Sequence, residues 1–478
     1  MKRMKQMKNI ILKYTVIILL MVSAGACDFL EVDPIGRTSI PVLFSDVDGI
    51  RAALPGTYST YYNYYDKEFF KYPEVAGNML RLRSVVGSNE DIMGQYNFVS
   101  NPDEETSAVG NIWRYIYEAL ANANNIIEYQ PGLLAEFPKQ SNELNRIMAE
   151  ALFLRALGHF DLCRVYAQPY NYTDDASHLG VPIVLEVPGA DDNLRRNTVH
   201  EVYEQIISDL ESSLEYFEGL TPREDYYASP NADNALLARV YLYMEDWDNV
   251  IEYATKVIDR IPLSYGDDYI GMYNNLEAGD ENIFRLNGTL KGSGLATFYA
   301  PHSPIAIPED TLINLFVDTM DIRLQLLTEE GGSPVCKKYY ITADVSEENK
   351  HYDPFVLRCS EMYLNRAEAY LNKNMLSEAA ADLKAIIARG LQVDVSAIEL
   401  SETYEDLALV IEQERAKELC FEGHQLFDIT RWEKDLVRSA STNSSVTRIE
   451  YPSDLFVLPI SQMEMDTNPN MVQNPSYN

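Results

Sequence analysis

Arg81 and Arg83 are the only charged residues between Glu74 and Glu90, a local charge of +2 in a chain whose formal net charge is -34. Guanidinium groups placed this way suit a carboxylate or sulfate, held by charge-assisted hydrogen bonds. Arginine also lies along apolar surface with its head in water, so the pair has a purely structural reading too. Amides and flat rings surround them: Asn78, Gln95 and Tyr96 in the same stretch, Tyr273, Asn275 and Tyr299 in a second one. Polar fingers beside aromatic faces are what a polyhydroxylated ligand such as a sugar requires. The same residues suit packing, because a chain with 33 tyrosines and 3 tryptophans buries many of its rings. Trp113 and Trp247 occupy helix-packing positions and Trp432 a turn, which leaves ligand stacking to Tyr and Phe.

The sequence holds no HExxH, GxSxG, Walker or EF-hand pattern. Gly292-Ser293-Gly294 lacks the third glycine of a dinucleotide site. The histidines (His159, His178, His200, His302, His351, His424) are too widely spaced for a local metal motif. Carboxylates are too plentiful for any pair to mark a glycosidase. The expectation is therefore a protein that is not an enzyme, with no catalytic residue, cofactor or metal.

At the amino terminus, Lys2, Arg3, Lys5, Lys8 and Lys13 precede the apolar run Tyr14–Val22, which is too short to span a bilayer. Ser23-Ala24-Gly25-Ala26 and then Cys27 follow. This is a secretory signal layout, and the cysteine behind small residues resembles a bacterial lipoprotein processing site, with Ala24 where Leu or Val is commoner. Residues 1–26 read as the signal and Cys27 as the lipidated first residue of the mature chain. Without those five basic residues, 34 Lys and Arg face 73 Asp and Glu, a net -39. Nucleic acid is excluded as a partner by such a field. Cys163, Cys336, Cys359 and Cys420 show no CxxC spacing; they suit small buried apolar positions, and disulfides stay open.

The elements that must position these groups are helices. Met362–Arg389 has Tyr363, Ala367, Tyr370, Ala379, Leu383 and Ile386 at helical spacing, broken by Asn372-Lys373-Asn374. The offsets match a tetratricopeptide hairpin with alanines at the crossing. Ser377 is placed to cap the second helix and Gly390 to end it in a left-handed residue. Such a hairpin needs stacked neighbours. Ser45–Tyr65, Asn111–Tyr129, Asn142–Tyr166 and Thr198–Phe217 supply them, the last with a Thr198/Glu201 capping box. Asp233–Met244 and Trp247–Ile258 form a second hairpin, turned at Asp246. Two stretches lack periodicity: Glu74–Pro102, read as a long loop, and Pro262–Asp353, read as short strands and one helix near Thr311–Asp318. Long irregular segments in a compact domain are commonly binding loops.

Further motifs carry a resemblance. Glu414-Arg415, Glu418-Leu419, Phe421-Glu422-Gly423-His424, Phe427-Asp428 and Arg431-Trp432 look like the signature of the SusD/RagB family. So do Arg366-Ala367-Glu368-Ala369-Tyr370, Leu154-Arg155-Ala156 with Phe160-Asp161-Leu162, Pro459-Ile460, and Asn468-Pro469 with Gln473-Asn474-Pro475. Gln425, Leu426 and Ser476 depart from the usual Arg, aromatic and Gly. The resemblance implies a mainly α, SusD-like helical fold with tetratricopeptide-like hairpins plus loop-rich insertions. It suggests a region over 27–261 and a second over 262–478 that closes with the hairpin. It further implies a lipoprotein on the outer face of the outer membrane, capping a SusC-like TonB-dependent transporter and binding an oligosaccharide or polysaccharide. A RagB-like peptide binder and a hairpin scaffold without a ligand are the alternatives. No family motif transfers a ligand residue to this chain.

Overall fold

Caps written into the sequence start most of the helices. In this computed structural model, which describes residues 39–83, 90–103, 106–189, 192–274, 279, 281–289, 292–329, 331–340 and 352–477, the Asp46 carboxylate accepts the Gly49 N–H and opens α1 (Val47–Tyr64). Ser107 opens α2 (Ala108–Glu136), and a short turn at Pro138–Gln140 leads into α3 (Ser141–Tyr166). The Thr198/Glu201 capping box opens α4 (Val199–Tyr216). Ser229 caps α5 (Pro230–Tyr243) and Asp246 caps α6 (Trp247–Ile258). After the second irregular region come α7 (Cys359–Asn372), α8 (Leu376–Leu391), α9 (Tyr404–Leu419) and α10 (Gln425–Arg431).

Helices adjacent in sequence pack on one another: α1 on α2, α2 on α3, α3 on α4, α5 on α6, and α7 on α8. Ala235, Ala238, Ala367, Ala369, Ala379 and Ala380 are all buried at the crossings, where a larger side chain would hold the backbones apart. Packing of α6 on α7 joins the hairpins before and after the second irregular region. One continuous core then runs from Phe44 to Met471. This mainly helical architecture is the expected class. Among the described residues, no helix is long and apolar enough to cross a membrane.

Four local expectations are corrected. Residue Gly390 does not end α8: the helix runs on to Leu391, and Gln392 takes the left-handed conformation at φ 57°. Ser377 does not cap α8; its hydroxyl donates to Glu402 Oε2 at 2.7 Å. The helix near Thr311 is a single turn, Asp310–Ile313. Glu74–Pro102 is not all loop, since it contains the strand β1 (Leu80–Leu82) and a helix at Glu90–Tyr96. Beyond β1, the strands are β2 (Asn282–Arg285), β3 (Ala306–Pro308), β4 (Phe355–Arg358), β5 (Leu436–Val437) and β6 (Arg448–Ile449). They form three antiparallel pairs, β1 with β3, β2 with β4, and β5 with β6.

The charged motifs prove to be interior fasteners. Arg358 reaches Glu281 at 2.7 Å, Glu418 at 2.8 Å and Glu422 at 2.8 Å. Arg389 also pairs with Glu281 and Glu418, and Arg323 with Asp321 and Glu414. Arg415 and Arg431 share Asp428, and Arg431 continues to Glu368, which also accepts from the Trp432 indole N–H at 2.9 Å. Burial alone would neutralise these carboxylates, but the surrounding guanidinium groups hold Glu418, Glu422 and Asp428 below the usual carboxylate range. Cys163, Cys336, Cys359 and Cys420 are free and buried, and burial pushes the Cys163 and Cys420 thiols up to about 12.

Candidate ligand-binding groove

Two open hollows follow one side of α1. At the wide end is a cleft of 500 Å³ lined by Arg51, Leu54, Pro55, Asn142, Glu143, Arg146, Ile147, Arg223 and Tyr227. A second hollow of 220 Å³ shares Pro55 and Tyr227 and adds Tyr58, Ser59, Tyr226 and Asn287. The two adjoin at Pro55 and Tyr227 and are taken together as a groove. Residues 51, 55, 58 and 62 lie three or four apart, as do 55 and 59, so one helical face supplies the floor. Farther along, the Tyr62 hydroxyl donates to the Gly292 carbonyl at 3.3 Å. Past Tyr64 the backbone widens into a π-turn at Tyr65–Phe69. From that turn, Asp66 accepts the Ser293 hydroxyl at 2.5 Å and the Gly294 N–H at 2.6 Å. The groove thus runs from the start of α3 toward the irregular segment beginning at Asn287.

Its walls are braced by polar contacts. Tyr58 donates to Glu150 Oε2 at 2.8 Å and accepts the Ala228 N–H at 2.9 Å, which ties α1 to α3 and to the α4–α5 connection. The Tyr226 hydroxyl donates to Asp353 Oδ2 at 2.8 Å, and the Arg285 guanidinium lies 4.0 Å from the centre of its ring. Arg223 pairs with Glu150 while lying 3.9 Å from the centre of the Tyr227 ring. Burial raises the Glu150 carboxyl, and Arg223 opposes that shift. Both wall tyrosines are therefore fixed yet only half-buried, and Asn287 is exposed. Half-buried rings with an amide and a hydroxyl alongside can seat a saccharide: the rings cover its C–H faces and the polar groups meet its hydroxyls.

Among the described residues, Asn78, Arg81, Gln95, Tyr96, Tyr273 and Tyr299 do not line this groove. Four of those assignments are corrected by burial. Tyr96 is fully buried; its hydroxyl meets Thr442 at 2.7 Å and Asn443 at 3.1 Å. Gln95 is buried beside it. Tyr273 sits in a small satellite core, donating to Glu422 at 3.1 Å. Tyr299 is stacked on Tyr339 with ring centres 5.5 Å apart. A side chain with no exposed face cannot stack on a ligand. Asn78 and Arg81 stay half-exposed beside the β1–β3 pair, where Asn78 donates to the Val437 carbonyl at 3.0 Å and Arg81 lies 3.9 Å from Glu309. Arg83 is exposed. Asn275 and Cys27 lie outside the described residues.

The two irregular regions do meet, because β1 belongs to the first and β3 to the second, with Leu80 opposite Pro308. The hairpin β5–β6 completes that corner. Arg438 donates to the Gly77 carbonyl at 2.9 Å and the Tyr96 carbonyl at 2.6 Å, so the corner is closed by internal bonds. The tryptophans take their expected places: Trp113 is in the core, Trp247 packs half-buried against it, and Trp432 ends α10; Trp247 and Trp432 also line a separate 270 Å³ cleft with Tyr404. The groove residues escaped sequence reading because Tyr226 and Tyr227 sit in a short helix connection and Asn142 and Arg146 in a helix, none of them in an irregular stretch.

Comparison with known proteins agrees with this architecture. Residues 28–242 match a family described as starch-binding associating with outer membrane, and residues 327–477 match the SusD family. The SusD-like protein P2 of Formosa agariphila is 25% identical over 88% of this chain and 90% of its own length. Among solved structures, a SusD superfamily protein from Bacteroides thetaiotaomicron superposes with a TM-score of 0.79 at 27% identity, covering 90% of this chain and all of that one. A Bacteroides vulgatus protein whose name proposes sugar binding gives a TM-score of 0.79 at 26% identity, covering 91% of this chain and 99% of that one.

Proposed function

The chain belongs to the SusD/RagB family, and from that premise we propose that it is a cell-surface glycan-binding lipoprotein. It is anchored through lipid on Cys27 to the outer membrane, holds an oligosaccharide in the groove along α1, and passes it unaltered to a SusC-like TonB-dependent transporter. The observation that carries the binding role is the groove itself: half-buried Tyr226 and Tyr227, Ser59 and exposed Asn287 along two adjoining hollows. Ligand sites run to roughly 300–1,000 Å³, and the wide end alone has 500 Å³. The outer-membrane placement is supported by the family description, and the lipid anchor by the small residues before Cys27.

The test is a glycan array probed with the full chain purified in detergent, followed by titration calorimetry on the hits. The proposal expects saturable binding of at least one glycan and recovery of that glycan with its length unchanged. Binding confined to peptides, or shortening of the glycan, would overturn it. Deleting the gene should abolish growth on the bound glycan, and co-purification from outer membranes should bring down a TonB-dependent barrel.

A further inference from the structure

Away from the α1 groove, and sharing no lining residue with it, a 270 Å³ cleft opens where the α5–α6 turn, the end of α7, the start of α9 and the end of α10 meet. Two of the molecule's 3 tryptophans, Trp247 and Trp432, line it with Tyr404. Trp432 is a fixed wall. Its indole N–H donates to Glu368 Oε1 at 2.9 Å, and the Arg431 guanidinium lies 4.7 Å and the Lys434 ammonium 5.6 Å from its ring centre. Trp247 and Tyr404 differ. Trp247 is half-buried and Tyr404 exposed, and among the described residues no other ring or cation covers either of them. The Trp247 indole N–H likewise has no acceptor among the described residues, and it is not sealed from solvent. The Tyr404 hydroxyl donates to Asn372 Oδ1 at 3.3 Å, which orients its ring.

The polar groups of the cleft set the class of ligand. Four carboxylates line it, those of Glu245, Glu368, Glu412 and Glu433, against two cations, Arg431 and Lys434. Arg431 pairs with Glu368 and Lys434 with Glu412, so those four charges cancel. Glu245 and Glu433 have no cation partner among the described residues. Both stand just past a helix end, after α5 and α10, at φ 58° and 55°, a left-handed conformation that glycine takes more easily. Glu245 is held by the Asn171 amide, which donates to it and to the Arg431 carbonyl, both at 2.9 Å. The Glu433 carboxylate accepts no hydrogen bond among the described residues. Two unbalanced carboxylates repel uronate and sulfate groups. A sugar hydroxyl, by contrast, can donate to a carboxylate and accept from an indole N–H. Ring faces for the C–H surface of a sugar, a free acceptor and a free donor therefore share one volume.

We propose that this cleft is a second saccharide site, which seats part of a neutral glycan on Trp247 and Tyr404 with its hydroxyls on Glu433, Glu245 and the Trp247 indole N–H. The inference rests on the reading of the chain as a glycan binder and not on where the first site lies. The volume is near the lower bound of small-molecule sites, roughly 300 Å³, so the cleft holds a short part of a glycan chain.

Tryptophan emission reports on this cleft, because Trp113 is buried in the core and no tryptophan lines the α1 groove. The experiment follows that emission, with calorimetry in parallel, while the full chain in detergent is titrated with hexasaccharides of starch, mannan, xylan and galactan, and with a galacturonate hexamer. At least one neutral hexasaccharide should shift the emission saturably, both in the wild type and in Ser59→Arg/Asn287→Ala, and should bind at least about ten-fold more tightly than the galacturonate. Glu433→Gly should weaken that binding about ten-fold, the worth of one hydrogen bond to a charged group. It should do so without lowering the melting temperature, since glycine takes the left-handed φ freely. Tyr404→Ala should weaken the same binding several-fold. No emission change with any neutral probe, equal affinity of the wild type and Glu433→Gly, or galacturonate binding as tight as the neutral probe would overturn the inference. Calorimetric binding that leaves the emission unmoved and is lost in Ser59→Arg/Asn287→Ala would overturn it while leaving the α1 groove as the glycan site. Binding of no saccharide to any of these proteins would remove both readings.

Discussion

Glu74 and Gly423 meet although 349 residues apart: the Gly423 N–H donates to Glu74 Oε1 at 2.9 Å, and the His424 N–H donates to the same oxygen at 2.9 Å. The carboxylate thereby covers the amides that begin α10 and fastens the first irregular region to the Phe421-Glu422-Gly423-His424 motif. Burial nonetheless raises this carboxyl from 4.5 to about 7. The folded protein holds the proton more tightly than the unfolded chain does. The associated stability is present in full below about pH 4.5 and is lost as pH rises toward 7. A shift of this size corresponds to about 3 kcal/mol. Thermal unfolding from pH 5 to pH 7.5 should show the wild type losing stability relative to Glu74→Gln as pH rises; parallel curves would contradict this. His159, lowered to about 3 by burial, acts in the opposite sense, its contribution being lost as pH falls below 6.5, and it is common to both proteins.

Arg358 is buried among Glu281, Glu418 and Glu422. Removing one member of a buried charge group strands the others, at a cost of about 3–5 kcal/mol. Arg358→Met should lower the midpoint of urea unfolding accordingly or leave the chain insoluble. A loss below about 1 kcal/mol would mean water compensates the stranded carboxylates.

Gly390 illustrates why a helix glycine is not always replaceable. A Cβ there would lie 2.8 Å from Arg323 Nη2, and that guanidinium is fixed by Asp321 and Glu414. Ala at a helix position ordinarily gains about 1 kcal/mol over Gly. Gly390→Ala should lose stability in spite of that gain. Gly132→Ala, in α2 with nothing within 4 Å of the new carbon, should gain about 0.5–1 kcal/mol. Equal shifts for the two variants in denaturant would contradict the close approach.

Tyr96 and Tyr299 now carry a different expectation from the one their positions in the sequence suggest. Both are buried, so Tyr96→Ala and Tyr299→Ala should each destabilise by about 3–5 kcal/mol, as large cavities do. Tyr96→Phe, which deletes only the contacts to Thr442 and Asn443, should cost about 1 kcal/mol and leave glycan affinity unchanged. A specific loss of binding in Tyr96→Phe would return that ring to the ligand site.

The helices were legible because their signals are local. Thr198 caps where the pattern places it, Asp246 stands at the expected turn and caps α6, and the alanines of α7 and α8 are buried at their crossing. What local pattern does not carry is which irregular residues remain open to solvent. Tyr96 lies in an aperiodic stretch, yet the Ser/Thr/Asn-rich connection of β5–β6, more than 300 residues later, covers it. Tyr273 is enclosed by Glu422 of a distant helix end in the same way. Conversely, Arg146 belongs to a regular helix and gains its exposure only from the space left between α1 and the α4–α5 connection. Ser377 had the right chemistry for a cap, but Glu402, 25 residues on, takes its hydroxyl, and α8 runs one residue past Gly390 to Leu391.

The most direct measurement titrates the array-identified glycan into the wild type and into Ser59→Trp/Asn287→Ala, a variant that fills the floor of the groove and removes its exposed amide. The account predicts affinity at least about ten-fold weaker in the variant, an unchanged melting temperature, and glycan recovered intact from both proteins. Identical affinities for the two proteins would contradict it.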